Sequence, residues 1–155
     1  MLIRTATFHD INAINNLFRQ LDADAIRDQP EHFQRTERTD AYLLDIINAD
    51  SSDFLIAVLD DEVIGFSLLY EKEVKGLSLL VPCKYVYLQD LIVDAVYRNR
   101  GIGKKLFEAT KEWAEKRGLD YLRLSVLPTN KEAQRFYANN GMHEQMLTME
   151  CPLEK

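Results

Sequence analysis

Cysteine, proline, glycine and long apolar runs are all scarce in this chain of 155 residues: it has two Cys, four Pro and six Gly. Cys83 and Cys151 belong to no CxxC, CxxH or HxxxH arrangement. They read as reduced thiols rather than a disulfide framework or a ligand set, so neither a metal site nor an oxidising compartment is expected. The longest apolar run, residues 77–82, is interrupted by Ser78 and falls far short of the roughly 18 residues of a membrane span. Residues 1–9 hold one basic side chain and no apolar stretch, which excludes a signal peptide of the usual kind and leaves the cytoplasm as the expected location. Positive charge is also in deficit, with 19 Lys and Arg against 25 Asp and Glu and a formal charge of −6. A binder of nucleic acid or of an anionic membrane needs the opposite balance.

What is present describes one ordinary folded domain, residues 1–155, with 46% apolar and 28% charged residues. Residues 2–6 read as a strand, and Thr7 with Asp10 as a capping box opening a helix with Ile11, Ile14, Leu17, Phe18 and Leu21 on one face. Residues 22–34 are acidic and contain Pro30, the pattern of a broken helix or a loop, and residues 42–47 return to helical spacing. Two β-rich runs, 54–59 and 63–70, meet at Asp60-Asp61-Glu62 as a hairpin. Residues 85–93 form a dense β-branched and aromatic strand, followed by a polar turn and a helix ending at Gly118. Residues 121–126 are a strand, Thr129 with Glu132 caps a last helix closed by Gly141, and residues 144–151 can make a final strand. The expected class is α/β in the α+β sense, a mixed and mostly antiparallel sheet flanked by helices.

The stretch Arg98-Asn99-Arg100-Gly101-Ile102-Gly103-Lys104 joins a strand to an amphipathic helix. The first N–H groups of a helix lack internal partners and carry the positive end of its dipole, so they can hold a phosphate. Glycines at 101 and 103 allow close approach, and Arg98, Arg100, Lys104 and Lys105 add charge. A tight turn with solvated basic residues is the plainer reading of the same letters. Two other phosphate motifs are excluded by spacing. No GxxxxGK[ST] is present, and a dinucleotide fingerprint needs a small residue where Leu106 stands.

The remaining pattern resembles the GNAT superfamily of N-acetyltransferases. That family carries [QR]xxGx[GA], matched by Arg98, Gly101 and Gly103, and NxxAxxFYxxxG, matched by Asn130, Ala133, Phe136, Tyr137 and Gly141. The strand Tyr87-Leu88-Gln89-Asp90-Leu91-Ile92-Val93 and the opening Ile3-Arg4-Thr5-Ala6 with Asp10 are similar to the family too, so the likeness spans nearly the whole chain. It implies a GNAT fold and acetyl-coenzyme A as cosubstrate. Its pantetheine arm would lie along Leu91, Ile92 and Val93, and its pyrophosphate on the backbone from Arg98 to Lys104. Asn130 and Phe136 would contact the cofactor arm, and a homodimer is the family expectation.

The chemistry implied is attack of a primary amine on the thioester in a ternary complex, with no covalent enzyme intermediate. A backbone N–H at Val93 or Leu91 would stabilise the carbonyl oxygen, and Tyr137 would protonate the departing thiolate. A core tyrosine beside Phe136 is the structural alternative. Relatives can carry a glutamate as general base where Gln89 stands, and an amide accepts no proton at neutral pH. Asp90, by strand alternation, belongs to the other face unless a bulge intervenes, and His32 and His143 are solvated candidates. No base is assigned from sequence. The missing glutamate leaves open a coenzyme A-sensing or interaction module on the same fold.

Charge is unevenly laid out. Residues 98–117 hold seven basic and three acidic side chains, whereas residues 1–62 hold five and thirteen. Asp22, Asp24, Asp28 and Glu31, in the variable segment where the family takes its acceptor, favour a cationic amine. An acid-rich helix face that aids solubility is the other reading.

Overall fold

The computed structural model describes residues 1–155 and falls into two compact units, residues 1–125 and 126–155. In the first, β1 (Leu2–Thr5) leads through a 3-10 turn into α1 (Ile11–Asp28), then α2 (Asp40–Asn48), β2 (Ser52–Leu59), β3 (Glu62–Val74) and β4 (Cys83–Val93). A second 3-10 turn, Ala95–Tyr97, precedes α3 (Ile102–Lys116) and β5 (Tyr121–Arg123). The sheet order is β1-β2-β3-β4-β5. The first three pairings are antiparallel and β4 runs parallel to β5, giving the mixed, mostly antiparallel sheet that the sequence pattern predicts.

Strand alternation divides the core into two layers. Ile14, Leu17 and Phe18 of α1 with Leu43 and Ile46 of α2 pack on Phe54, Ile56, Phe66, Leu68 and Ile92 of the sheet. Phe18, Phe54 and Phe66 form an aromatic knot with centroids 4.8 to 6.1 Å apart. On the other face Ile102 and Leu106 of α3 join Ala57, of opposite parity to Phe54 and Ile56, and Ile64, which lies at a register shift between β2 and β3. The last turns of α3 are tied to β2 by the Trp113 indole, which donates to Asp53 Oδ2 at 2.7 Å.

Several element ends differ from the sequence expectation. α1 does not stop at the acidic segment but runs to Asp28, because Arg27 pairs with Asp24 and Asp28 and Arg38 grips Asp22, so the acids repel less than their count suggests. β5 ends at Arg123 rather than at residue 126. The Tyr87 hydroxyl donates to Ser125 Oγ at 3.0 Å just past the last backbone pair, Tyr87 with Arg123.

In the second unit, α4 (Lys131–Asn139) ends where Gly141 takes a left-handed φ of 88°, as its sequence position predicts. Its cap is Asn130, whose side-chain oxygen accepts from the Ala133 N–H at 3.0 Å, not the expected Thr129. Residues 144–151 form no strand and are exposed, Met146, Leu147 and Met149 among them. Adjacent apolar residues at 146 and 147 break the period-2 alternation that specifies a buried face, and a strand needs a hydrogen-bonded neighbour.

Candidate active site

The site begins with an irregularity in one ladder. Along β3 and β4, Leu68 faces Asp90 but Leu69 faces Leu88, so Gln89 is the extra residue of a β-bulge. A bulge lets two residues on one strand oppose one on the other. Asp90 and Ile92 therefore share the α1/α2 face with Tyr87, although simple alternation from Tyr87 would send Asp90 to the α3 face. The bulge also keeps Gln89 beside Asp90 on a cleft of about 340 Å³, lined in addition by Phe18, Arg38, Tyr42, Leu68, Tyr70 and Lys72.

The electrostatics of this cleft are specific. Burial pushes the Asp90 carboxyl up to about 6, opposed by the nearby Arg38 charge and assisted by that of Asp22. Burial first, then the hydrogen-bonded Tyr42 hydroxyl and the Asp90 charge, hold the Tyr70 phenol above its ordinary value. The Arg38 guanidinium carbon lies over the Phe18 ring, 3.7 Å from its centroid, and the group makes a two-point contact with Asp22 at 2.7 and 3.0 Å. Three acids of the segment are thus paired, since Asp24 also meets Arg98 and Arg27, and Asp28 meets Arg27.

The opposite property of β4 lies on its edge. Pairing with β5 covers only residues 85–87, and from 88 to 93 the strand is held by β3 alone. Successive N–H groups of a strand point to opposite edges. The Asp94 N–H donates to Ile64 O on β3 at 2.8 Å, so the Val93 and Leu91 N–H groups point to the edge that β5 has left, and Ile92 points to β3. Of the three predicted cofactor-strand residues, Leu91 and Val93 offer hydrogen bonds there, and Ile92 serves the core.

Beyond the strand, Asn99 and Gly101 both adopt left-handed conformations, φ 60° and 77°, and turn the chain into α3. Gly101 is the N-cap and its carbonyl receives the Lys105 N–H at 3.2 Å, which leaves the N–H groups of Ile102, Gly103 and Lys104 without helical partners. Ile102 is buried while Lys104 is exposed. The basic side chains divide by role. Arg100 lies over the Tyr97 ring at 5.4 Å, whereas Arg98 donates from Nε to Val93 O at 3.0 Å and reaches Asp24 at 3.2 Å. α1 clamps the same turn through Gln20, which donates to Asp94 Oδ2 at 2.9 Å and accepts from the Ala95 N–H at 3.1 Å.

In the second unit, Asn130 is occupied as the α4 cap. Phe136 and Tyr137 are half-buried, with ring centroids 5.2 Å apart and nearly perpendicular. Asp90, Tyr70, Tyr42, Arg38 and Lys72 are the cleft residues that sequence reading does not assign. One trace of the bulge exists: Val86, Leu88, Asp90 and Ile92 share a parity, and an acid in an otherwise apolar set is out of place.

Comparison with known proteins places this geometry. Residues 18–142 match the sequence model of the Acetyltransferase (GNAT) family. The chain is 32% identical over 145 residues to the uncharacterized N-acetyltransferase YhfO of Bacillus subtilis (strain 168), covering 93% of this chain and 91% of that one. It is 28% identical over 151 residues to a thialysine N-epsilon-acetyltransferase of Bos taurus, covering 93% and 85%. Among solved structures, a mutant of the BH1408 protein from Bacillus halodurans superposes with a TM-score of 0.95 at 27% identity, over 99% of this chain and 100% of that one. The aminoglycoside N-acetyltransferase AAC(6')-Iy, solved in complex with CoA, shares the fold with a TM-score of 0.74 at 21% identity, over 99% and 100%.

Proposed function

The chain belongs to the GNAT acetyltransferase family, and from that premise we propose that it moves an acetyl group from acetyl-coenzyme A to a primary amine by direct attack. One observation carries the reading: the bulge at Gln89 puts a carboxylate into a cleft on the face of β4 while the same stretch of strand keeps a free edge. A base and a line of hydrogen-bonding groups for an extended arm are thereby supplied by adjacent residues. The family match crosses both units and supports reading residues 1–155 as one acetyltransferase domain.

The cosubstrate supplies the activated acyl group. The N–H groups of Ile102, Gly103 and Lys104, with the helix dipole behind them, suit its pyrophosphate, and Asn99, Arg100 and Gly101 shape and charge the approach. Arg98 acts by holding the end of β4. Val93 or Leu91 donates its N–H to the acyl oxygen as negative charge develops there. Asp90 takes a proton from the incoming ammonium or amine, directly or through one water. As the N–C bond forms and the C–S bond breaks, Tyr137 gives its phenolic proton to the leaving sulfur. Asn130 and Phe136 hold the cofactor arm, as their motif positions imply.

Asp90 answers the objection raised by Gln89, since the acid one residue later is brought to the cleft with a proton affinity suited to neutral pH. Relatives named for thialysine and aminoglycoside substrates support an amine acceptor. The test is thiol release from acetyl-coenzyme A across an amine panel, using wild type, Asp90→Asn and Tyr137→Phe. Each substitution is expected to lower kcat/KM by about 10²-fold or more. Unchanged turnover in Asp90→Asn removes it as the base. If coenzyme A raises the melting temperature but no amine provokes thiol release, the protein is a sensing module instead.

A further inference from the structure

Beyond the reaction itself, the cleft has a direction. β3 presents Leu68, Tyr70 and Lys72 in succession to the α1/α2 face, opposite Asp90, Tyr87 and Tyr85 of β4. The cleft therefore runs from a carboxylate, past an apolar and phenolic middle, to an ammonium. Lys72 is exposed, and its amine sits over the Tyr87 ring, 4.8 Å from the centroid, rather than on a carboxylate. The acids flanking it in sequence are taken elsewhere, Glu71 by Arg117 and Glu73 by Lys75, each at 3.2 Å. The other cation of the cleft, Arg38, already has Asp22 as its two-point partner. Lys72 is thus a cation of the cleft whose neighbouring acids in sequence, Glu71 and Glu73, are paired with other residues.

Resting on the amine acetylation read above, we propose that the acceptor is an ω-amino carboxylate: its amine lies at Asp90, its alkyl chain crosses Leu68 and Tyr70, and Lys72 binds its carboxylate. The spacing selects the class. Leu68 and Lys72 are four residues apart, about 13 Å along a strand at roughly 3.3 Å per residue, and the Asp90 and Lys72 side chains close part of that span. Two charges on one carbon, as in an α-amino acid, cannot meet both ends, whereas an amine and a carboxylate separated by several methylenes can. A volume of about 340 Å³ admits a molecule of that size and is at the small end of ligand sites. The same charge layout acts against polyamines, because their second ammonium would lie beside Lys72.

The experiment compares kcat/KM for three acceptors of equal chain length, 6-aminohexanoate, 6-aminohexanamide and 1,6-diaminohexane, at saturating acetyl-coenzyme A. Wild type is expected to prefer the carboxylate over the amide by about tenfold and over the diamine by more. Lys72→Met should bring the carboxylate-to-amide ratio to within about twofold of one, and Lys72→Glu should invert the carboxylate-to-diamine order. Melting curves of both variants confirm that the comparison is made on folded protein. Equal use of all three acceptors by wild type, or a preference that survives in Lys72→Met, overturns the proposal while leaving amine acetylation standing. Absence of thiol release with all three, while another amine of the panel provokes it, overturns the acceptor assignment alone; absence with every amine overturns the acetylation reading, and the acceptor assignment falls with it.

Discussion

Arg98 donates from Nε to the carbonyl of Val93 at 3.0 Å, so the first arginine of the basic loop is spent on the strand that precedes it. Val93 also carries an N–H directed to the free edge of β4. The side chain thereby fixes the Val93–Asp94 peptide, immediately after the one whose N–H would face the acyl oxygen, and its second contact, Asp24 at 3.2 Å, ties this corner to α1.

Replacing Arg98 with Ala is expected to lower kcat/KM by about 10- to 100-fold, since small displacements of positioning groups are costly in catalysis. Asp24→Asn should stay within about twofold of wild type, because the Arg98–Asp24 pair is exposed and such pairs contribute little. Steady-state kinetics on both variants checks the contrast. Equal losses would assign the effect to the ion pair rather than to the bond on Val93.

Gly65 faces Val93 across the β3–β4 ladder, and a Cβ there would stand 2.7 Å from Ile92 O and 3.3 Å from a Leu106 methyl. The backbone oxygen cannot rotate away. Gly65→Ala should therefore destabilise the fold by about 1–3 kcal/mol and shift residues 92–93. A lowered melting temperature together with a kcat loss at saturating substrate would show both consequences. A variant with wild-type stability would show that the sheet opens freely at this point.

Much of this architecture was legible because its signals are local. The Thr7–Asp10 cap, the helical spacing of α1 and α3, and the glycines at 101, 118 and 141 each act within one turn of chain, where propensity and sterics decide. The bulge at Gln89 left only one trace, an acid in an otherwise apolar parity set, because it arises from a mismatch between β3 and β4 that neither strand fully records alone. Its chemical consequence, a half-buried Asp90 on the cleft face, was hidden for the same reason. The acidic segment misled in the opposite sense: Asp22 and Asp24 look solvent-facing until Arg38 and Arg98, 16 and 74 residues away, meet them.

Acid should loosen the first helix entry. Asp10 is buried at 6% exposure, receives Arg4 at 2.9 Å through both oxygens, and accepts from the Thr7 N–H at 2.8 Å. The Arg4 guanidinium above all holds its carboxyl below the ordinary range. A lowered folded pKa contributes stability that is present above the unfolded value near 4 and is lost as pH falls through the folded value. Asp10→Asn should thus lower the melting temperature at pH 7, and the gap to wild type should narrow as the pH is taken below about 4. A constant gap across that range would separate Asp10 from the acid transition.

Asp90 has the opposite sign, and that sign separates its role in the reaction from its role in the fold. Burial raises its carboxyl to about 6, so the folded chain holds this proton more tightly than the unfolded one. Stability from this group is full below the unfolded value near 4 and falls as pH rises through about 6. Asp90→Asn should therefore melt at the same temperature as wild type or higher at pH 8, with the advantage shrinking toward pH 5. Its kcat/KM should be low throughout and lack the rising limb centred near 6 that a base of this affinity gives wild type. A residue that only packed the cleft would lose stability on substitution and leave the limb in place. Melting curves and pH-rate profiles of the two proteins decide between these outcomes.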